Sequence, residues 1–279
     1  MTYFGFLALF VGIPVVIFGL WNGLDHRNGK PLPESLTSWG PYTVIGWLVV
    51  VAVAYTTPWD NYLVATRVWW YDPALVTGWV IGYVPIEEYT FFVTQTIMTG
   101  LFTVWLMRRM PVGELPTSPR RSLQVRWWAT GIVGVIWAAS VVLLALSFTG
   151  GVWGYGTYLA LELSWGLIPI MVQLIVGADI LWRHRWTVII GILTTWLYLS
   201  AGDAVAIQSG TWTINPEQSL PLLIGGVLPI EEAIFFLITN VLIVFGLTLV
   251  MEHESEKRVP VVMKSWLERQ KAKRTLAAE

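Results

Sequence analysis

The sequence predicts an all-α integral membrane protein: seven transmembrane helices in a 3+1+3 parallel internal repeat, N-terminus outside and C-terminus inside. Three observations carry this prediction. The 279 residues are 55% hydrophobic and 13% charged, with mean hydropathy +0.62, whereas ordinary soluble domains carry about 25% charged residues. Apolar stretches near the roughly 20 residues that cross a bilayer lie at 2–21, 39–57, 85–107, 128–148, 155–181, 186–202 and 221–250. Lysine and arginine fall almost entirely on one side of a seven-span chain.

The first stretch has no basic leader and no small-residue cleavage site before Asn22, so it reads as a retained helix. The third and seventh each carry two glutamates, and the fifth carries Glu162, Gln173 and Asp179. With these seven spans, Arg67 alone faces one side. The other 16 of the 17 basic residues (Arg27, Lys30, five in 108–126, Arg183, Arg185 and seven after 251) face the other. The positive-inside rule therefore places the N-terminus outside and 252–279 inside, as a charged cytoplasmic tail. The expected location is the cell membrane, multi-pass.

The tetrapeptide Pro-Ile-Glu-Glu occurs at 85–88 and again at 229–232, an offset of 144, and each copy is followed by a Phe-Phe pair. Upstream, Asp60 matches Asp203 and Asp72-Pro73 matches Asn215-Pro216, both at an offset of 143. Weaker echoes pair Tyr3 and Pro14 with Tyr158 and Pro169 at 155. The reading is a first three-helix repeat over 1–107, a basic loop and linker helix over 108–154, and a second repeat over 155–251. One linker span makes the halves parallel about an axis along the membrane normal. Helices three and seven should then face each other and bring the four glutamates toward one cavity.

The apolar runs 75–107 and 219–251 are each 33 residues, longer than one span. Pro85 and Pro229 are the natural breaks. A short irregular piece is expected before each helix, whose first turn then carries the glutamates. Such backbone persists at membrane depth only where protein or a cavity surrounds it.

An acidic residue near the middle of a membrane helix costs about 2.5–3.5 kcal/mol on insertion scales. One account is local: proline and acids suit a helix N-terminus. A cap needs only one acid, however, and each copy has two. Helical spacing places Glu88 with Gln95, Glu87 with Phe91, Glu231 with Phe235, and Glu232 with Thr239 beside Asn240. Carboxyls backed by Phe91, Phe92, Phe235 and Phe236 suggest a proton-handling pocket whose π faces stabilise a cation. Glu162 reads equally as a pocket residue or an interhelical hydrogen-bond partner. Among the 18 tryptophans, Trp21, Trp39, Trp153 and Trp182 suit interfacial belts, while Trp70, Trp165 and Trp212 are expected at the cavity. Asp60, Asp72, Asp203 and Asn215 are read as outer-loop residues, with turn roles at least as expected as chemistry. His26, His184 and His253 lie in loops or the tail and are read as solvated. The chain has no cysteine, which excludes disulfides and thiolate metal sites; neither metal nor cofactor is expected.

At these residues the chain resembles the heterodimer-type lycopene beta-cyclases of carotenoid-producing bacteria and archaea, in a form with both halves fused. The resemblance rests on Pro58-Trp59-Asp60, the two Pro-Ile-Glu-Glu-x-x-Phe-Phe blocks, 161–165, 212–217 and 237–240, and it covers 1–250. It implies an isomerase that cyclises lycopene through γ-carotene to β-carotene by proton-initiated, non-redox chemistry. Glu87, Glu88, Glu231 and Glu232 would be the acid and base residues, with their individual roles open. The four phenylalanines, Glu162, Gln95, Asn240 and Trp165 would line the substrate site. The implied partners are carotenoids and membrane lipid, with a second copy or other carotenoid-pathway enzymes as further candidates, and no nucleic acid.

Other chemistries lack their residues. Glutamate-pair membrane proteases need an arginine where phenylalanine stands here. Diphosphate-handling prenyltransferases need clustered aspartates. A retinal protein needs a lysine in the seventh span, and flavin-dependent cyclases need a glycine-rich dinucleotide loop. A non-catalytic polyene-binding protein or a proton-coupled transporter stays open on sequence.

Overall fold

The computed structural model describes residues 1–258; the rest of the predicted tail lies outside the described residues. Seven helices are long and apolar enough to cross a membrane: α1 (Tyr3–Arg27), α2 (Pro41–Ala65), α3 (Ile86–Met107), α4 (Pro119–Ser147), α5 (Gly151–Arg183), α6 (Arg185–Gln208) and α7 (Ile230–Met251). A short α8 (His253–Arg258) follows. α3 and α7, the two helices that carry the paired glutamates, are central, with 72% and 61% of their apolar windows buried, whereas α4 has 6% buried and is peripheral.

Two expected spans end later than hydropathy suggests, and this is a correction with consequences. α2 continues to Ala65 and α6 to Gln208, so Asp60 and Asp203 sit inside helices and not in outer loops. Hydropathy ended those spans at the first polar residues, but these carboxyls point into protein and leave the helix unbroken. α4 likewise starts at Pro119, with Ser118 accepting from the Arg121 N–H as its N-cap.

The nine residues expected at the start of the seventh span are not helical. Before α3, β2 (Val80–Ile81) pairs antiparallel with β3 (Val84–Pro85); before α7, β5 (Leu223–Ile224) pairs with β6 (Leu228–Pro229). In the first hairpin Gly82 has φ 70°, the positive value that a two-residue hairpin turn demands at its first position. The second hairpin turn holds one residue more, with Gly225 and Gly226 at positive φ. That extra residue lies where the sequence offset passes from 143 to 144. The short irregular pieces expected before Pro85 and Pro229 are therefore these two hairpins.

A third ribbon joins the two halves of the chain. β1 (Trp69–Tyr71) and β4 (Trp212–Ile214) pair antiparallel, Trp69 opposite Ile214 and Tyr71 opposite Trp212. Lower in the molecule α3 and α7 are tied by polar contacts. Gln95 donates to Thr239 at 3.0 Å, Thr99 donates to Asn240 at 2.7 Å, and Phe91 meets Phe236 edge to face at 6.0 Å. In a hydrocarbon surround such hydrogen bonds hold helices in register where the hydrophobic effect cannot.

The opposite end is closed by charge pairs. Asp25 accepts both Nη atoms of Arg109, and Asp179 accepts both from Arg258 of α8. Glu252 accepts from Arg183 at 3.0 Å and contacts His184 Nε2 at 2.6 Å. His184 is thus a buried, paired residue, contrary to the solvated reading. A carboxylate at the end of α7 draws it in.

Candidate active site

Between the β1–β4 ribbon and the first turns of α3 and α7 lies a cavity of about 460 Å³. Four carboxyl groups line it: Glu88 from α3, Glu232 from α7, Asp60 from α2 and Asp203 from α6. Three phenols and a wall of aromatic rings complete it, with Tyr3, Tyr71 and Tyr158 among the carboxyls and Phe91, Phe235 and Phe236 below them.

The two glutamates of each pair do different jobs. They are adjacent on a helix, so their side chains point about 100° apart. Glu87 accepts the Thr77 N–H at 2.6 Å and Glu231 accepts the Leu220 N–H at 2.7 Å. Both therefore tie down the loop entering each hairpin and are off the cavity wall. Glu88 and Glu232 are the members that enter the cavity.

Glu88 is held by two phenols on one oxygen: Tyr3 donates at 2.5 Å and Tyr71 at 3.0 Å. Trp69 in turn donates to the Tyr71 oxygen at 2.9 Å. Burial, and then the neighbouring Glu88 and Asp60 charges, push the Tyr71 phenol well above its usual range, so it stays a donor. Glu232 accepts from Tyr158 at 2.8 Å and lies within hydrogen-bond reach of Asp203. Trp212 donates to the other side of Asp203 at 2.9 Å. Asp60 is buried with both oxygens unpartnered, as is one oxygen of Asp203.

Below the cavity an apolar groove of about 770 Å³ runs between α2, α3, α5 and α7. Phe92, Gln95 and Trp165 line this groove and not the cavity, while Phe235 lines both. Asn240 is fully buried in the α3–α7 seam, donating to the Phe236 carbonyl at 2.7 Å. Glu162 is fully buried with both oxygens unpartnered and close enough to Glu231 and Glu232 for charge coupling.

Trp212 lies on the cavity as expected, but Trp70 does not: it is 39% exposed, and Trp69 takes its place. Strand side chains alternate between faces, so the ribbon can present only one of two adjacent tryptophans. Asp72 and Asn215 make side-chain turns, accepting the N–H of Ala74 and of Glu217. The residues that sequence reading missed are Asp60, Asp203, Tyr3, Tyr71 and Tyr158. Their signal was present in part, because Asp60/Asp203 and Tyr3/Tyr158 are the matched positions of the repeat. Among the described residues, no group of three or more His, Cys, Asp or Glu side chains is disposed to hold a metal ion.

The chain is 36% identical over 253 residues to the lycopene beta-cyclase of Halobacterium salinarum, covering 89% of this chain and 95% of that protein. It is 36% identical over 208 residues to a bifunctional lycopene cyclase/phytoene synthase of Podospora anserina, covering 73% of this chain and 34% of the fungal protein. The equivalent protein of Aspergillus oryzae is 33% identical over 223 residues, covering 76% and 36%. No protein-family model matches the chain, and no solved structure does.

Proposed function

The chain belongs to the lycopene beta-cyclase family and is a lycopene cyclase, and on that premise we propose that ring closure takes place among Glu88, Glu232, Asp203 and Asp60. One observation carries the proposal: Glu88 and Glu232 meet in a single aromatic-walled cavity, whereas Glu87 and Glu231 are engaged by backbone.

Lycopene and its cyclised product are isomers, so the reaction returns the proton it uses. A proton adds to the terminal double bond of the acyclic end and leaves a tertiary cation. The next double bond along attacks that cation, closing a six-membered ring and moving the charge onto the ring. Loss of a ring proton forms the ring alkene. The chemistry calls for an acid, a base and a dry cavity that tolerates a carbocation.

Glu232 with Asp203 suits the acid. Two carboxyl groups in hydrogen-bond reach can bond only if one carries a proton, which keeps a transferable proton in the cavity. Glu88, an acceptor to two phenols, suits the base. The difference between the halves has a sequence origin, since Tyr71 of the first half matches Ile214 of the second. Phe91, Phe235 and Phe236 present π faces to the passing cation. Glu162, behind Glu232, is a further store of protons.

The same proposal includes the 3+1+3 repeat with repeats at 1–107 and 155–251, and the fused form of the heterodimer-type architecture. It is supported by two 22-residue helices entered by matching hairpins and matching glutamate tethers. The basic residues argue for a cytoplasmic C-terminus in the cell membrane. Carotenoids and lipid are the partners this reading needs.

The test is pigment analysis in a lycopene-accumulating bacterial host. The wild type should yield β-ionone rings, through γ-carotene to β-carotene. Glu88→Gln and Glu232→Gln, present in the membrane at normal levels, should leave lycopene acyclic. Full conversion by both variants would overturn the assignment. Unchanged lycopene with the wild type, well folded in the membrane, would favour a carrier.

A further inference from the structure

We infer that the groove between α2, α3, α5 and α7 binds the conjugated hydrocarbon chain of the substrate while one end group occupies the carboxyl cavity. The inference rests on the cyclase reading and adds to it a second subsite, one for the polyene chain.

Continuity is the first argument. Phe235 forms part of both walls, so the cavity and the groove adjoin across this one ring. The second is the surface of the groove. Tyr55, Phe92, Trp165 and Phe235 line the groove, and the Trp165 ring is fixed by stacking on Tyr55 at 5.1 Å and on Trp59, which lies outside the lining, at 4.4 Å. Four aromatic side chains along one groove give a rigid, polarisable wall suited to a flat conjugated chain.

The third argument is chemical. The polar side chains in the groove are largely spent on the protein itself. Gln95 bonds Thr239, Gln173 donates to the Leu242 carbonyl, Thr96 donates to the Phe92 carbonyl, and Tyr55 donates to the Trp165 carbonyl. Apart from the unpartnered Gln173 Oε1, little hydrogen-bonding demand is left for a ligand, as suits a hydrocarbon. From Phe235 to Ile243 the groove follows nine residues of α7, about 12 Å at the α-helical rise. The substrate would therefore lie along the helices and not across them. Val51 at the groove's edge is 58% exposed, giving the bilayer a point of entry.

The test uses the full chain in nanodiscs of defined phospholipid loaded with lycopene. A benzophenone photo-crosslinker replaces Val51 at the groove, or Val135 on α4, which is 71% exposed and away from the groove. Intact-mass analysis should find a lycopene adduct at position 51 and phospholipid adducts at 135. Phospholipid adducts alone at both positions would overturn the inference, whatever the cyclisation result. Ring formation is read from the same samples, so failure of the groove and failure of the cyclase reading are separable. In parallel, Ala52→Phe, which fills the groove and touches no carboxyl of the cavity, should raise KM for lycopene at least tenfold with membrane yield unchanged. An unaltered KM in a well-folded Ala52→Phe protein would equally sink it.

Discussion

The hydroxyl of Tyr158, near the start of α5, donates to Glu232 at 2.8 Å across 74 positions of sequence. Tyr3 stands in the same relation to Glu88. Each phenol orients a carboxyl that has no charged partner, and each comes from a helix other than the one carrying the glutamate. Tyr158→Phe should lower the cyclisation rate by about tenfold, the order expected when a buried hydrogen bond to a reacting group is removed, with expression unchanged. An initial-rate assay in nanodiscs would detect it, and a wild-type rate would remove Tyr158 from the site.

The adjacent glutamates should separate on substitution. Glu88→Gln is expected to lower the rate at least 100-fold, the lower range for loss of a general acid or base. Glu87→Gln keeps an acceptor for the Thr77 N–H and should stay within about tenfold of wild type, since catalysis loses nothing there but geometry. Equal, severe losses in both would return Glu87 to the chemistry.

Asp203 supplies a carboxyl that sequence reading assigned to a loop. Asp203→Asn preserves size and the Trp212 bond but removes the carboxyl that the proposed mechanism pairs with Glu232. Its initial rate should fall about 10- to 100-fold, and Asp60→Asn should fall less, because Asp60 makes no hydrogen bond to either glutamate. The reverse order would reassign the acid to the first half of the chain.

Stability should be most sensitive at the α3–α7 seam. Asn240→Leu leaves the buried Thr99 hydroxyl without its side-chain acceptor and should cost about 1–3 kcal/mol, visible as a lower unfolding temperature in detergent. Thr99→Val in the same background should restore part of the loss, since no hydroxyl is then stranded. An additive double variant would exclude the pairing as its cause.

The end of the molecule that holds Glu252 carries a pH dependence with a defined sign. Burial alone would raise Glu252, but the hydrogen bond from His184 and the charges of His184 and Arg183 outweigh it and hold the carboxyl below its usual range. A depressed folded value stabilises the protein above the unfolded glutamate value of about 4.3. The contribution is lost as pH falls below that, through the lower folded value. Protection of the α8 amides, corrected for the intrinsic exchange rate at each pH, should therefore fall below about pH 4, and Glu252→Gln should show faster exchange already at pH 7. Exchange insensitive to the substitution would mean the cluster does not hold α8.

Much of the site was legible because it is written twice. The glutamate pairs, their phenylalanines, and the irregular backbone before Pro85 and Pro229 all follow from the repeat and from proline geometry. Asp60 and Asp203 were visible as matched positions but misplaced, because hydropathy ends a span where a polar residue begins, whichever way that residue points. Trp69 and Trp70 are indistinguishable in sequence, and only strand pairing decides which one faces inward.

Composition and one-sided charge by themselves determined a chain of seven apolar spans, since a bilayer accepts only segments of a certain length and polarity. The repeated acidic motif marked the two helices that carry the paired glutamates. Only the tertiary structure decided which glutamate of each pair lines the cavity. That choice depends on backbone N–H groups of Thr77 and Leu220, brought to Glu87 and Glu231 by hairpins. It depends equally on phenols delivered to Glu88 and Glu232 from other helices. A helix sets the angle between neighbouring side chains, but it does not say what waits at the end of each.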